Sequence, residues 1–424
     1  MTIFNKVFIA AVGVACAFSI ACGGGSSPAK ANVIVQTGQN VAPIVVNAGP
    51  AASLSGSQAF SYANGAFASV TVCVPGTSTC QTIDGVLVDT GSSGLRILSS
   101  ALTNVSLPQQ NTAGGNPVAE CLTFLGSYTW GPVQTADVQI AGEKASAVPI
   151  QVLSDTAFPV PTACSSSAPG PSADTLATLG ANGILGVGPF AQDCGNASAC
   201  VTTGSAGLYY QCISGSCTST GEPLAQQVVN PVALFSTDNN GAIIELPAVS
   251  SSAVSVNGSL VFGIGTQSNN ALGSATVYGM DSNTFSFTTE YNGSPYAGSF
   301  IDSGSNGYFF LDSGTAGLPN CTDSTGTPTG FYCPTSPKTF SATNEGTNGT
   351  SGAVSFTIAN ADTLFANSSD NAFSQLGGPS IMGTPSSSNP DFFDWGLPFF
   401  YGRNIYTSIE NTTAPGGATP YWAY

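Results

Sequence analysis

The sequence predicts a mainly β chain built as two homologous lobes. Three observations predict it. Short apolar runs of β type are broken throughout by Gly, Pro, Asn and Ser, long amphipathic helical patterns are missing, and a ten-residue segment recurs once in each half. The runs include Phe67–Val74, Val86–Val88, Val133–Ile140, Ile243–Leu246, Ser259–Phe262 and Thr284–Thr289. The recurring segment is Asp89-Thr-Gly-Ser-Ser-Gly-Leu-Arg-Ile-Leu98 against Asp302-Ser-Gly-Ser-Asn-Gly-Tyr-Phe-Phe-Leu311, aligned without gaps and identical at five of ten positions. Each copy follows an apolar run, Val86-Leu87-Val88 in one and Phe300-Ile301 in the other. Each is followed at similar distance by a second apolar segment, Gly183-Ile184-Leu185-Gly186 and the looser Phe392-Phe393-Asp394-Trp395-Gly396. Asp312-Ser313-Gly314-Thr315 imitates the motif, but Leu318-Pro319-Asn320-Cys321 follows where the other copies run into a strand, and proline breaks a central strand. Asp302 is therefore the partner of Asp89.

Met1 to Ala21 reads as an export signal, with Lys6 ahead of an apolar stretch from Val7 to Ala21 that is too short to span a membrane. Ser19-Ile20-Ala21-Cys22 followed by Gly23-Gly24-Gly25-Ser26-Ser27 resembles a bacterial lipoprotein cleavage site, although Ser19 stands where leucine is usual. The resemblance implies lipidation of Cys22 and anchoring in the bacterial cell envelope, at the outer membrane or cell surface. Residues 22–32 are then anchor and tether, 33–246 an N-terminal lobe, 247–411 a C-terminal lobe, and 412–424 a tail.

The chain has 424 residues, enough to bury a sizeable core in a bilobal body. Only 7% are charged, against about 25% in ordinary soluble domains, so Ser, Thr, Asn and Gln must supply the surface polarity. Six Lys and Arg against 22 Asp and Glu give −16, which excludes nucleic-acid backbone binding as a main role. Histidine is absent. That removes Ser-His-Asp and Cys-His catalysis, His-ligated zinc and haem, and histidine pH switches. Setting aside Cys16 in the signal and Cys22 at the anchor leaves an even set of cysteines, which reads as five disulfides in an oxidising compartment. Close spacing favours Cys73–Cys80, Cys194–Cys200, Cys212–Cys217 and Cys321–Cys333, leaving Cys121–Cys164. No C-x-x-C pair and no clustered acidic spacing point to a metal, and no cofactor is expected.

An apolar strand running into D-[TS]-G-S, twice per chain, resembles the pepsin-like aspartic proteinases over most of the length. Asn182-Gly183-Ile184-Leu185-Gly186-Val187-Gly188, Gly258-Ser259-Leu260-Val261-Phe262-Gly263 and the stretch from Trp395-Gly396 through Phe399, Arg403 and Tyr406 resemble further segments of that family. The wording around Asp89 and Asp302 also resembles an uncharacterised family of bacterial lipoproteins. The proteinase resemblance implies two β-barrel-like lobes related by a pseudo-two-fold, with Asp89 and Asp302 as the catalytic pair. It further implies that Thr90 and Ser303 brace the two loops, and that Ser92 and Ser305 bond the outer carboxylate oxygens. Gly91 and Gly304 let each backbone approach the carboxylates.

The chemistry suits those residue types independently of the name. Amide hydrolysis needs a base to take a proton from water and an acid to protonate the leaving nitrogen. Two carboxyls held together cannot both ionise, so they share a proton and supply both roles. The implied function is a surface-anchored endopeptidase acting on a peptide or protein substrate, expected to be monomeric.

The chain departs from the family at several places. Arg96 stands near the pair where a tryptophan is usual, and there it would lower the carboxyl pKa values. Asn306 replaces Ser or Thr. The substrate-covering hairpin reads Phe124-Leu125-Gly126-Ser127-Tyr128-Thr129-Trp130-Gly131, with Tyr128 or Trp130 as candidates for the family's flap tyrosine. These departures keep a second reading open, a catalytically silent lobe pair binding a peptide or partner in its cleft. A third is a generic surface lipoprotein or adhesin with an architectural repeat. A single Asp-Thr-Gly is also ordinary turn chemistry, but two copies in matched contexts favour a paired site. The aromatic stretches Tyr308-Phe309-Phe310 and Phe399-Phe400-Tyr401 read as core strands.

Overall fold

Strand-forming residues alternate with turn formers along nearly the whole chain, and the computed structural model converts them into two packed β lobes. It describes residue 34 and residues 37–424 apart from 125, 155–156, 169 and 381–391. The export signal, Cys22 and the whole tether to residue 32 lie outside the described residues. The α-helical segments among the described residues are single turns of four residues, such as Leu176–Leu179 with its Thr175 cap.

In the first lobe, Gly65–Cys73 and Cys80–Asp89 form a hairpin clamped by the Cys73–Cys80 disulfide. Cys80–Asp89 then runs parallel to Gly183–Val187, pairing Val88 with Leu185 and Asp89 with Gly186. Ser93–Leu98 runs antiparallel along that same strand. One fully buried strand, GILGV, thus holds both arms of the loop after Asp89. Glycine is required there: a Cβ at Gly186 would lie 2.8 Å from the backbone of Ser92 and Ser93.

The second lobe repeats the device. Ser294–Ile301 runs parallel to Asp394–Trp395, and Tyr308–Phe309 runs antiparallel to it. A Cβ at Gly396 would lie 2.1 Å from the Gly307 carbonyl. The repeat in the sequence is therefore a repeat in topology, with each Asp loop slung between two arms on a central strand.

Strands from both ends of the chain join the lobes. Val41–Asn47 pairs with Gly65–Cys73 of the first lobe and with Val256–Phe262, and Gly241–Leu246 lies between Val256–Phe262 and Arg403–Ser408. The resulting sheet has fifteen strands, and the second lobe adds one of seven. The stretch expected to be a tail is structural instead. Tyr421–Ala423 pairs with Arg403–Ser408 and Val277–Gly279, because Tyr421 and Trp422 are apolar enough to be buried as a closing strand. All five disulfides form with the expected partners, and Cys121–Cys164 ties the strand Val118–Thr123 to the turn Thr162–Ser165.

Two buried glutamates contribute to the pH dependence of this body's stability. Burial raises Glu222 to about 7, although its Oε1 accepts a hydrogen bond from Gln110. Burial and then the neighbouring Asp238 raise Glu143 to about 7. Folded-state values above the ordinary 4.5 mean stability that is whole below about 4.5 and lost as pH rises through about 7. The melting temperature is accordingly expected to be higher near pH 5 than near pH 8. Glu222→Gln should flatten that slope, and a slope unchanged in Glu222→Gln would refute the assignment.

Candidate active site

The strand Cys80–Asp89 delivers Asp89 and the strand Ser294–Ile301 delivers Asp302 to the interface of the two lobes, where both are almost completely buried. Their surroundings are equivalent. Asp89 Oδ1 accepts the Gly91 N–H at 2.8 Å, and Oδ2 accepts the Ser92 hydroxyl. Asp302 Oδ1 accepts the Gly304 N–H at 2.7 Å, and Oδ2 accepts the Ser305 hydroxyl at 2.9 Å. The two carboxyl groups are neighbours: a Cβ added at Gly304 would meet both, lying 2.6 Å from Asp89 Oδ1 and 3.1 Å from Asp302 Oδ1. Burial first, and then the adjacent Asp302, push the Asp89 carboxyl well above its usual range, while the Ser92 and Gly91 hydrogen bonds pull the other way. One proton is thereby retained by the pair under conditions in which isolated aspartates are ionised.

The loops brace each other across the interface. The Thr90 N–H donates to Ser303 Oγ at 3.0 Å, and the Ser303 N–H donates to Thr90 Oγ1 at 2.9 Å. Each hydroxyl then donates onward, Thr90 to the Ile301 carbonyl and Ser303 to the Val88 carbonyl. Gly91 and Gly304 are forced by proximity, since a Cβ at Gly91 would lie 2.6 Å from Asp302 Cγ and one at Gly304 2.6 Å from Asp89 Oδ1. The eight motif residues singled out in the sequence thus converge on one locus. The imitating Asp312 does not join them. It caps the turn Ser313–Ala316, accepting the Gly314 and Thr315 N–H groups.

Arg96 requires a correction. Its guanidinium is wholly buried but turned to Glu120 at 2.8 Å and Asp193 at 2.9 Å, with Asp193 also accepting the Tyr209 hydroxyl. The Asp89 carboxyl is shifted upward, and Arg96 is not among the causes. Arg96 does reach the first Asp loop, donating to the Ser93 carbonyl at 2.8 Å. Asn306 acts through its backbone, its carbonyl accepting the Asn64 amide at 2.8 Å.

The flap candidates are corrected as well. Trp130 pairs with Cys121 and Tyr128 with Thr123 across the hairpin, so both side chains lie on the Cys121 face. There they pack in a cluster with Cys164 and Tyr210, and the Trp130 indole donates to the Phe158 carbonyl. Glu120, on the opposite face, meets Arg96.

The tyrosine that feels both carboxylates is Tyr62, which the sequence reading missed. Burial, then Asp89, then Asp302 raise its phenol. Two residues on, Asn64 adopts φ 56° and ties this segment to the second lobe. Its side chain donates to the Asn306 and Phe373 carbonyls and accepts the Phe373 N–H and the Tyr401 hydroxyl. The Asn64-Gly65 dipeptide was the available signal, a turn mark just before an apolar strand. Asp394 was missed too: its Oδ2 lies 2.7 Å from Ser305 Oγ, one hydroxyl away from Asp302.

A family model described as "Protein of unknown function (DUF3443)" matches residues 36–424. No functionally curated protein matches the sequence. Among solved structures, an aspartic proteinase from Irpex lacteus superposes with a TM-score of 0.50 at 15% identity, covering 90% of this chain and 96% of its own. At that identity the likeness concerns the fold, and it agrees with the bilobal β architecture expected from the repeat.

Proposed function

The chain belongs to this DUF3443 family, and we propose that it is an aspartic-type endopeptidase. The carrying observation is the contact between the Asp89 and Asp302 carboxyls at the crossing of two equivalent, mutually braced loops. A water held between them would lose a proton to the ionised member as its oxygen attacks the peptide carbonyl. The protonated member would then pass its proton to the leaving nitrogen, with no covalent intermediate. Ser92, Ser305 and the Gly91 and Gly304 N–H groups hold the carboxylate oxygens in place by donating to them. The proposal assigns no metal or cofactor. The substrate is a peptide or protein, and the chain is a monomer exported and held in the bacterial envelope through Cys22.

A second reading is a peptide-binding relative without turnover. It is favoured by Tyr128 and Trp130, which pack into the cluster around Cys121 and Cys164. Hydrolysis of a mixed peptide library by protein truncated at Cys22, from about pH 3 to 7 and with or without a statine-type transition-state mimic, separates the two. Cleavage with a bell-shaped profile that the mimic inhibits supports the peptidase. Binding of the mimic without cleavage supports the second reading.

A further inference from the structure

The seven-stranded sheet of the second lobe ends on an unpaired strand. Phe287–Tyr291 pairs with Lys338–Glu345, which pairs in turn with Ser351–Ile358 through eight consecutive steps without a bulge. Ser351–Ile358 is the last strand of the sheet. The Gly346 N–H donates to the Thr350 carbonyl and closes the hairpin between the last two strands. Hydrogen-bonded pairs recur every second residue of an antiparallel ladder, so Gly352, Val354, Phe356 and Ile358 spend their backbone groups on the neighbour. Ser351, Ala353, Ser355 and Thr357 turn theirs outward, where no hydrogen bond reaches them among the described residues. Edge strands are ordinarily blunted by proline, charge, a bulge or short length. This one runs for eight residues, SGAVSFTI, with none of those devices. The other sheet ends are short: Gly377–Gly378, Val277–Gly279, and Ser216–Ser219, which the Cys212–Cys217 disulfide staples.

The charge beside this edge is acidic. Val354, Phe356 and Ile358 are buried beneath the sheet, and the alternate residues face outward. On that same outer face Glu345 stands opposite Ser351, and Glu290, one strand further in, stands opposite Thr343. The one cation on the three strands, Lys338, sits at the other end of its strand and donates to the Gly317 carbonyl at 2.8 Å. Ser351 and Ala353 are small, so a Lys or Arg on a strand added about 5 Å further out can lie across them toward Glu345. A second copy of this chain, itself at −16, would bring two more glutamates to the sheet instead.

We propose that Ser351–Ile358 takes up an extended, lysine- or arginine-bearing segment of a partner protein as an added strand of the second lobe. Backbone pairing with the outward residues supplies the attachment, and Glu345 and Glu290 select positive charge. The inference does not depend on turnover.

A labelled peptide alternating lysine and threonine, with a glutamate–threonine counterpart, tests this by fluorescence anisotropy at about 0.01 M salt, where surface charges are little screened. The protein is the Cys22-truncated chain carrying Asp89→Asn, so that the peptide stays whole. The lysine peptide is expected to bind and the glutamate peptide not. Ser355→Pro removes one outward N–H where an edge strand tolerates proline, and should weaken binding at least about tenfold with the melting temperature unchanged. Glu345→Gln should weaken it about threefold. No binding of the lysine peptide, or equal affinity in Ser355→Pro, overturns the proposal, and equal affinity for the two peptides overturns the charge selection. Sedimentation showing a dimer that Ser355→Pro dissolves gives the edge to a second copy and overturns it too. Should Ser355→Pro not fold, hydrogen exchange on the unaltered edge decides. The Ala353, Ser355 and Thr357 amides should exchange more slowly once the lysine peptide is added, and unchanged exchange overturns the proposal.

Discussion

Asp89→Asn and Asp302→Asn are each expected to reduce peptide hydrolysis by at least about 10³-fold while leaving the fold intact. The amide keeps the size of the carboxyl, and its Oδ1 still accepts the Gly91 or Gly304 N–H. What disappears is the ability to hold and release a proton. In Asp302→Asn, Asp89 would also lose the acidic neighbour that contributes to raising it, so its pKa falls toward the ordinary range. Relief of that buried repulsion makes the variants as stable as wild type or more so. Rates on a cleaved peptide and thermal melts of the same samples check both halves of the expectation. Wild-type activity in either variant would remove the pair from the mechanism.

The largest effect on stability is expected at Arg96. Its guanidinium is the cation between Glu120 and Asp193, all three buried. Burial, and next the proximity of Glu120, already push the Asp193 carboxyl upward. Arg96→Met preserves much of the side-chain volume but leaves two acids facing each other without a cation, at a cost of about 3–5 kcal/mol. Adding Glu120→Gln removes one of those acids and should recover part of the loss, with a coupling of about 1 kcal/mol or more in the double-mutant cycle. Urea midpoints of the four proteins measure it. A midpoint for Arg96→Met equal to wild type would show that the cluster contributes nothing. Because Arg96 also bonds the Ser93 carbonyl, the single variant is expected to loosen the first Asp loop from the hairpin strand Val118–Thr123.

What could be read in the sequence was what the chain encodes locally. The two Asp loops were legible because each needs its glycine, hydroxyl and apolar strand within a few residues, and the matched copies then implied their meeting. Short disulfides were legible because spacing limits partners. Contacts made by parts far apart in the chain were not. Tyr62 reaches the pair through a fold-back that no period marks, and Glu120 and Asp193 meet Arg96 only once three separate segments converge. Asp394 was quoted as part of a loose strand match, and the serine it meets lies 89 positions earlier in sequence. The side-chain direction of Tyr128 and Trp130 turned on strand register, which period-two alternation makes all-or-none.

The reciprocal bonds between Thr90 and Ser303 carry a consequence for how the molecule comes into being. Each hydroxyl completes the other loop's backbone, so half a chain does not hold half a site. While the ribosome is still working through the second lobe, Asp89 is a solitary acid at the end of a strand. It gains its braced partner only after the strand Asp394–Trp395 has been synthesised and Ser294–Ile301 has docked on it. A truncated product would therefore be silent rather than weak, and the timing of any activity is set by the last strands to be made.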